Sequence, residues 1–168
     1  MRAAALLALA LLAGCSDRTD EASVTNAGAG SDLEAAAIAA GVIPDPASTD
    51  PTGLYARDAG RVCVSPAPQD FAIGVDLDYG DGQRCSASGV ARREGELLRV
   101  TLAGQGDCAF AARFEGDRIV LPGTLPDGCR SYCTGRASLA GMEAERLSDS
   151  AAEARAMRDA RGRLLCGR

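Results

Sequence analysis

Seven cysteines carry most of the chemistry in this 168-residue chain, and they divide into one and six. Cys15 stands alone behind an apolar stretch, while Cys63, Cys85, Cys108, Cys129, Cys133 and Cys166 lie beyond residue 60. An even set in an exported chain reads as a disulfide framework, and six thiols leave fifteen connectivities open. A zinc site takes Cys and His in matched pairs. Here there is no His, and Cys129-x3-Cys133 has no second pair to match it. That spacing is also one residue wider than the usual redox pair. It reads as one structural bridge, or as the ends of two bridges to other strands.

The missing histidine removes Ser-His-Asp and Cys-His nucleophiles, His-ligated metals and imidazole acid–base work. Carboxylate-only hydrolysis survives, with two acids roughly 5–10 Å apart around a sugar. With no Trp, three Tyr and three Phe, a stacking platform for that sugar is poor. The chain is therefore read as non-catalytic, and no cofactor or metal is called for. Asp76-x-Asp78-x-x-Asp81-Gly82 has the outline of a calcium loop, but Gly80 takes the fifth place and Asp81 the sixth. A polar turn after a strand is the reading. Arg92-Arg93, and Arg57 with Arg61, are candidates for a patch facing anions. Asp58, Glu94 and Glu96 beside them favour solvated hairpin ends.

These residues must be delivered and then positioned. Met1-Arg2 opens the chain, and an apolar run from Ala3 to Ala13 follows. A basic start, roughly 7–15 apolar residues and small residues at a cleavage point are the layout of a secretory signal. The run is shorter than the ~20 residues that span a bilayer. It ends in Leu12-Ala13-Gly14-Cys15, which resembles the lipobox of bacterial lipoproteins. The resemblance implies removal of residues 1–14, lipidation of Cys15 and attachment to a membrane through that lipid. Ser16, not Asp, follows the cysteine, and by the same resemblance this directs the protein to the outer membrane, facing the periplasm.

Charge then marks the organisation. Residues 16–51 hold seven acids against Arg18, whereas 52–168 hold sixteen acids and sixteen arginines. The acidity belongs to a lipidated tether over 15–51, and residues 52–168 form a balanced, disulfide-stapled β domain. Nothing supplies the basic face that nucleic acid requires. Within the tether, Ser31-Asp32-Leu33-Glu34 is a capping box, which predicts a short helix over 32–41 stopped by Gly41 and Pro44.

Strands follow from Thr52. Phe71, Ile73, Val75, Leu77 and Tyr79 alternate with Ala72, Gly74, Asp76 and Asp78, as a half-buried strand requires. Leu98, Val100 and Leu102 repeat the pattern, as do Cys108, Phe110, Ala112 and Phe114. Shorter strands are predicted at 53–57, 61–65, 84–92, 118–121 and 136–146. Gly-bearing turns of hairpin length separate them. The fold expected is mainly β: a small antiparallel meander forming a barrel or two-layer sandwich. Ser150-Ala151-Ala152-Glu153 is a second capping box and opens a short C-terminal helix, expected to run to Ala160 with Ala154, Met157 and Ala160 against the sheet.

Ser86-Ala87-Ser88-Gly89-Val90-Ala91-Arg92 resembles the Ser-Gly strand of the membrane-bound inhibitors of c-type lysozyme, which are lipid-anchored small barrels with disulfides. The Tyr that follows the Ser-Gly in that family, and its Lys-Gly loop, are absent here. The expected role is a non-catalytic binding or interaction domain for an envelope protein or small ligand; the alternatives are a structural envelope protein, a lysozyme-inhibitor-like protein and a carboxylate-dependent hydrolase. The anchor has a direct check. Labelled palmitate should enter the wild-type chain and not Cys15→Ala; label retained by the variant would contradict the lipobox reading.

Overall fold

The computed structural model describes residues 27–68, 70–104 and 106–167. Cys15, the apolar run and the first part of the tether lie outside the described residues. The chain divides into two compact units, 1–37 and 38–168. Helix α1 (Ala27–Ala39) accounts for the described part of the first. It starts earlier than the capping box predicts, so Ser31 lies inside the helix and not at its cap. Gly41, at φ 68°, stops it as expected, its amide donating to the Ile38 carbonyl.

The second unit is an eight-stranded antiparallel meander closed into a barrel, which decides between the barrel and the sandwich. The strands are β1 (Gly53–Arg57), β2 (Gly60–Ala67), β3 (Asp70–Asp78), β4 (Arg84–Glu94), β5 (Leu97–Leu102), β6 (Ala109–Phe114), β7 (Arg118–Val120) and β8 (Glu143–Ser148). Each pairs with the next, and β8 returns to β1 through Leu54, Tyr55 and Ala56. Closure leaves no unpaired edge. Pro66 lies inside β2, beyond the reach of β1, so its missing N–H costs no ladder bond.

Alternation sends Tyr55, Val62, Val64, Ile73, Val75, Leu77, Leu98, Val100, Leu102, Ala112, Phe114 and Ile119 to the barrel axis, all nearly or fully buried. Eight strands enclose a space that side chains can fill, and here they fill it. Tyr79 departs from the pattern: β3 ends at Asp78, and Tyr79 is exposed in the turn.

Between β7 and β8 the expected strand at 136–146 shortens to β8. Residues 121–142 instead form an excursion across one barrel end, with a 3-10 turn at Asp127–Tyr132. Pro122, Gly123 and Pro126 interrupt any strand there, and Leu139 drops into the core as an anchor. The short helix α2 (Ala151–Ala156) is capped as expected, the Ser150 hydroxyl accepting from the Glu153 amide at 3.3 Å. It ends before Ala160, which is exposed, while Ala154 and Met157 are buried. These two join Leu165, Cys63 and Cys166 in a second small core on the outer face of β2. Gly74 permits this: a Cβ there would stand 2.5 Å from the Leu165 Cβ and 2.7 Å from the Cys63 Sγ.

The opposite barrel end is sealed. Residues 45–51, which the charge pattern assigns to the tether, fold into a turn organised by Asp45, whose carbonyl accepts from the Thr49 amide and hydroxyl. Pro46 and Pro51 are buried against the barrel. Arg146 lies over the Tyr55 and Phe114 rings, 5.1 and 5.8 Å from their centroids. It donates to the carbonyls of Thr52, Asp50 and Gly116 at 2.8–2.9 Å. Arg93 also lies over the Phe114 ring, 5.4 Å from its centroid, and donates to the carbonyls of Pro46 and Thr49. The Tyr55 hydroxyl donates to Pro51 at 2.7 Å, and burial pushes its pKa up.

Hydrogen bonds from a charged donor contribute roughly 1.5–3 kcal/mol and a ring contact about 0.5–2. Arg146→Met should therefore lower unfolding free energy by about 2–4 kcal/mol in urea titration, with Arg146→Lys in between. A loss under about 0.5 kcal/mol would show that the seal is not supporting the barrel.

Candidate functional site

The six cysteines pair as Cys63–Cys166, Cys85–Cys133 and Cys108–Cys129. Cys129 and Cys133 thus hold two separate bridges, one of the two structural readings of their spacing. Cys85 sits on β4 and Cys108 just before β6, so both bridges fasten the excursion to the barrel wall. The third ties the C-terminal arm to β2.

The excursion shapes the barrel mouth. One recess, about 390 Å³, is lined by Gly123, Leu125, Pro126, Ala137 and Leu139, with Arg130 and Arg136 among its borders. No Asp or Glu lines it. A second, about 330 Å³, lies across the same wall and shares Ser138 and Ala140 with the first. Its lining is mixed: Leu77, Met142 and Tyr79 beside Asp58 and the Arg57–Glu143 ion pair. The two bridges fix the first recess, because Cys129 and Cys133 are part of its lining.

A third hollow, about 220 Å³, lies on the outer face of β3 and β4 beneath the C-terminal arm. Two buried carboxylates line it, each already engaged. Asp76 accepts from Arg61 at 2.5 Å. Asp159 accepts from the Arg161 and Arg163 amides, both at 2.9 Å, and from the Arg163 guanidinium at 2.7 Å. Burial pushes the Asp159 carboxyl up, but these bonds outweigh it and hold it below the ordinary carboxylate value. Ser131, Tyr132, Cys133 and Thr134 of the excursion form its other wall, and its two carboxylates are taken up by ion pairs.

The residues singled out by sequence do not converge. Asp76 faces Arg61, Asp78 accepts from the Gly80 amide, and Asp81 sits at φ 49° in the turn beyond. Arg57 pairs with Glu143 and Arg92 with Asp70, so the four arginines form no common patch. Arg93 is a correction to the solvated-end reading, since it lies under the sealed end. Its signal was present: Ala87, Ala91 and Arg93 share the inward parity of β4, as Ala144 and Arg146 do in β8. The mouth recess was missed because its residues come from a segment with no periodicity at all.

Comparison of the chain with family models, curated proteins and solved structures finds no match in any of the three.

Proposed function

We propose that this is a lipid-anchored binding domain of the bacterial envelope, held by Cys15 in the outer membrane facing the periplasm, which takes its ligand at the barrel mouth. The lipobox resemblance supports the address, and three disulfides suit an oxidising compartment. The observation that carries the role is the 390 Å³ recess, a concavity of ligand size walled by a covalently fastened loop. A polypeptide excursion of this length, held by two bridges and by a few backbone bonds such as Thr134 to Arg84 and Gly141 to Pro122, is not needed to close the barrel.

Binding inside the barrel is disfavoured by the same geometry. Side chains from every strand occupy the axis, and one end is covered by Arg93, Arg146 and the 45–51 turn. Among the described residues the buried side-chain polar atom without a partner is the Thr52 hydroxyl, and it lies at that covered end. The ligand role is read as non-catalytic: the recess offers apolar walls and guanidiniums, groups that hold a molecule without transferring a proton at neutral pH.

A photo-crosslinking residue at Ser138, which borders both recesses, tests the reading in living cells against one at Glu96 near the covered end. Irradiation should give a discrete adduct mass at Ser138 and none at Glu96. Equal labelling at both positions, or none at either, would defeat the proposed site.

A further inference from the structure

The lining of the larger recess points to a ligand class, and we infer that it binds a free single-chain anionic amphiphile: a carboxylate or phosphate head on one alkyl chain. This rests on the mouth as the binding site and adds the chemistry of what enters it. Leu139 forms a floor that is 1% exposed, and Leu125 and Ala137 are half-buried walls. An alkyl chain leaving water for such walls gains affinity with each methylene buried.

The polar part of the lining has one sign. Arg130 and Arg136 border the recess, and no acid does. Arg136 has no side-chain hydrogen bond or ion pair among the described residues. Arg130 meets Asp127 at 3.4 Å, with both side chains about nine-tenths exposed (87% and 92%). A pair so exposed contributes little, so a ligand carboxylate can take the guanidinium over at small cost. Arginine suits the task because its fork matches carboxylate and phosphate oxygens two at a time.

Size selects the single chain. A volume of about 390 Å³ lies at the small end of ligand recesses. That suits a head with one short chain better than the paired chains of a bilayer lipid. The neighbouring recess lacks this selectivity, since Asp58 and Glu143 would repel an anionic head.

The test uses the full chain carrying Cys15→Ser, which removes the lipidation site, with decanoate, decyl phosphate, decanol and decyltrimethylammonium as calorimetric probes. Decanoate and decyl phosphate should bind one per chain, decanol at least tenfold more weakly, and the cation not measurably. Arg136→Gln should weaken the two anions about tenfold, and Arg130→Gln with Arg136→Gln about a hundredfold, leaving decanol unchanged. Leu125→Asp should abolish binding of all the probes. Each variant must keep the wild-type unfolding midpoint and three disulfides, read by non-reducing mass spectrometry.

Decanol binding as tightly as decanoate, with the double variant unaffected, would overturn the anionic class while a Ser138 adduct still upheld the mouth. Anion binding that ignores both the arginines and Leu125→Asp would overturn the assignment to this recess. Capture by anionic vesicles without any monomer binding would overturn the single-chain ligand and put a membrane surface in its place.

Discussion

Closure of β8 on β1 depends on the guanidinium of Arg146. The group is laid between the rings of Tyr55 and Phe114 and spends its protons on three backbone carbonyls. Those carbonyls belong to Asp50, Thr52 and Gly116, which lead into β1 and join β6 to β7. One charge therefore fastens the first strand, the last strand and the hairpin beside them. Arg93 completes the arrangement from β4 by holding the 45–51 turn down on Phe114. A barrel of short strands has weak ends, and this end is made firm by charge-assisted bonds to main chain in a partly dry setting.

The remaining architecture follows from that sealed end. With the axis filled and one end covered, the two larger recesses described lie at the other mouth. There the chain makes its long excursion and ties it down twice. In the chain-entropy account a bridge spanning 48 residues or 21 contributes roughly 3–4 kcal/mol. Those contributions supplement the few backbone bonds that 121–142 makes, between Leu121 and Met142, Gly141 and Pro122, and Thr134 and Arg84. Rigid walls also limit the ordering cost of binding, which is the usual reason to pre-form a recess. The C-terminal arm is a separate addition, tied by Cys63–Cys166 and by the Asp159 turn to the outside of β2 and β3. Its Asp159 turn faces Ser131, Tyr132, Cys133 and Thr134 of the excursion across a shared hollow.

Much of the barrel was legible because its strands are half-buried and repeat with period two. Ile73, Val75 and Leu77, then Leu98, Val100 and Leu102, announced both their strands and their inward faces. The same rule, applied to Arg93 and Arg146, would have located the sealed end. It failed there because an arginine at an inward position is normally counted as polar and outward. The disulfide partners could not be read, since Cys85 and Cys133 meet only once the excursion has folded back. Residues 136–142, expected to open the last strand, lie before it, since β8 begins at Glu143. Their position comes from one buried leucine and two bridges, which are tertiary facts with no local trace. For the same reason the recess had no signature in the sequence.

The central claim is that ligand contact lies in the excursion and not in the barrel interior. Methyl-resolved NMR of the chain titrated with decanoate tests it most directly. The account predicts shifts at Leu125, Ala137 and Leu139, saturating together, with Val64, Leu98 and Val100 on the barrel axis unmoved. Shifts confined to the axis residues, with the recess methyls silent, would contradict it.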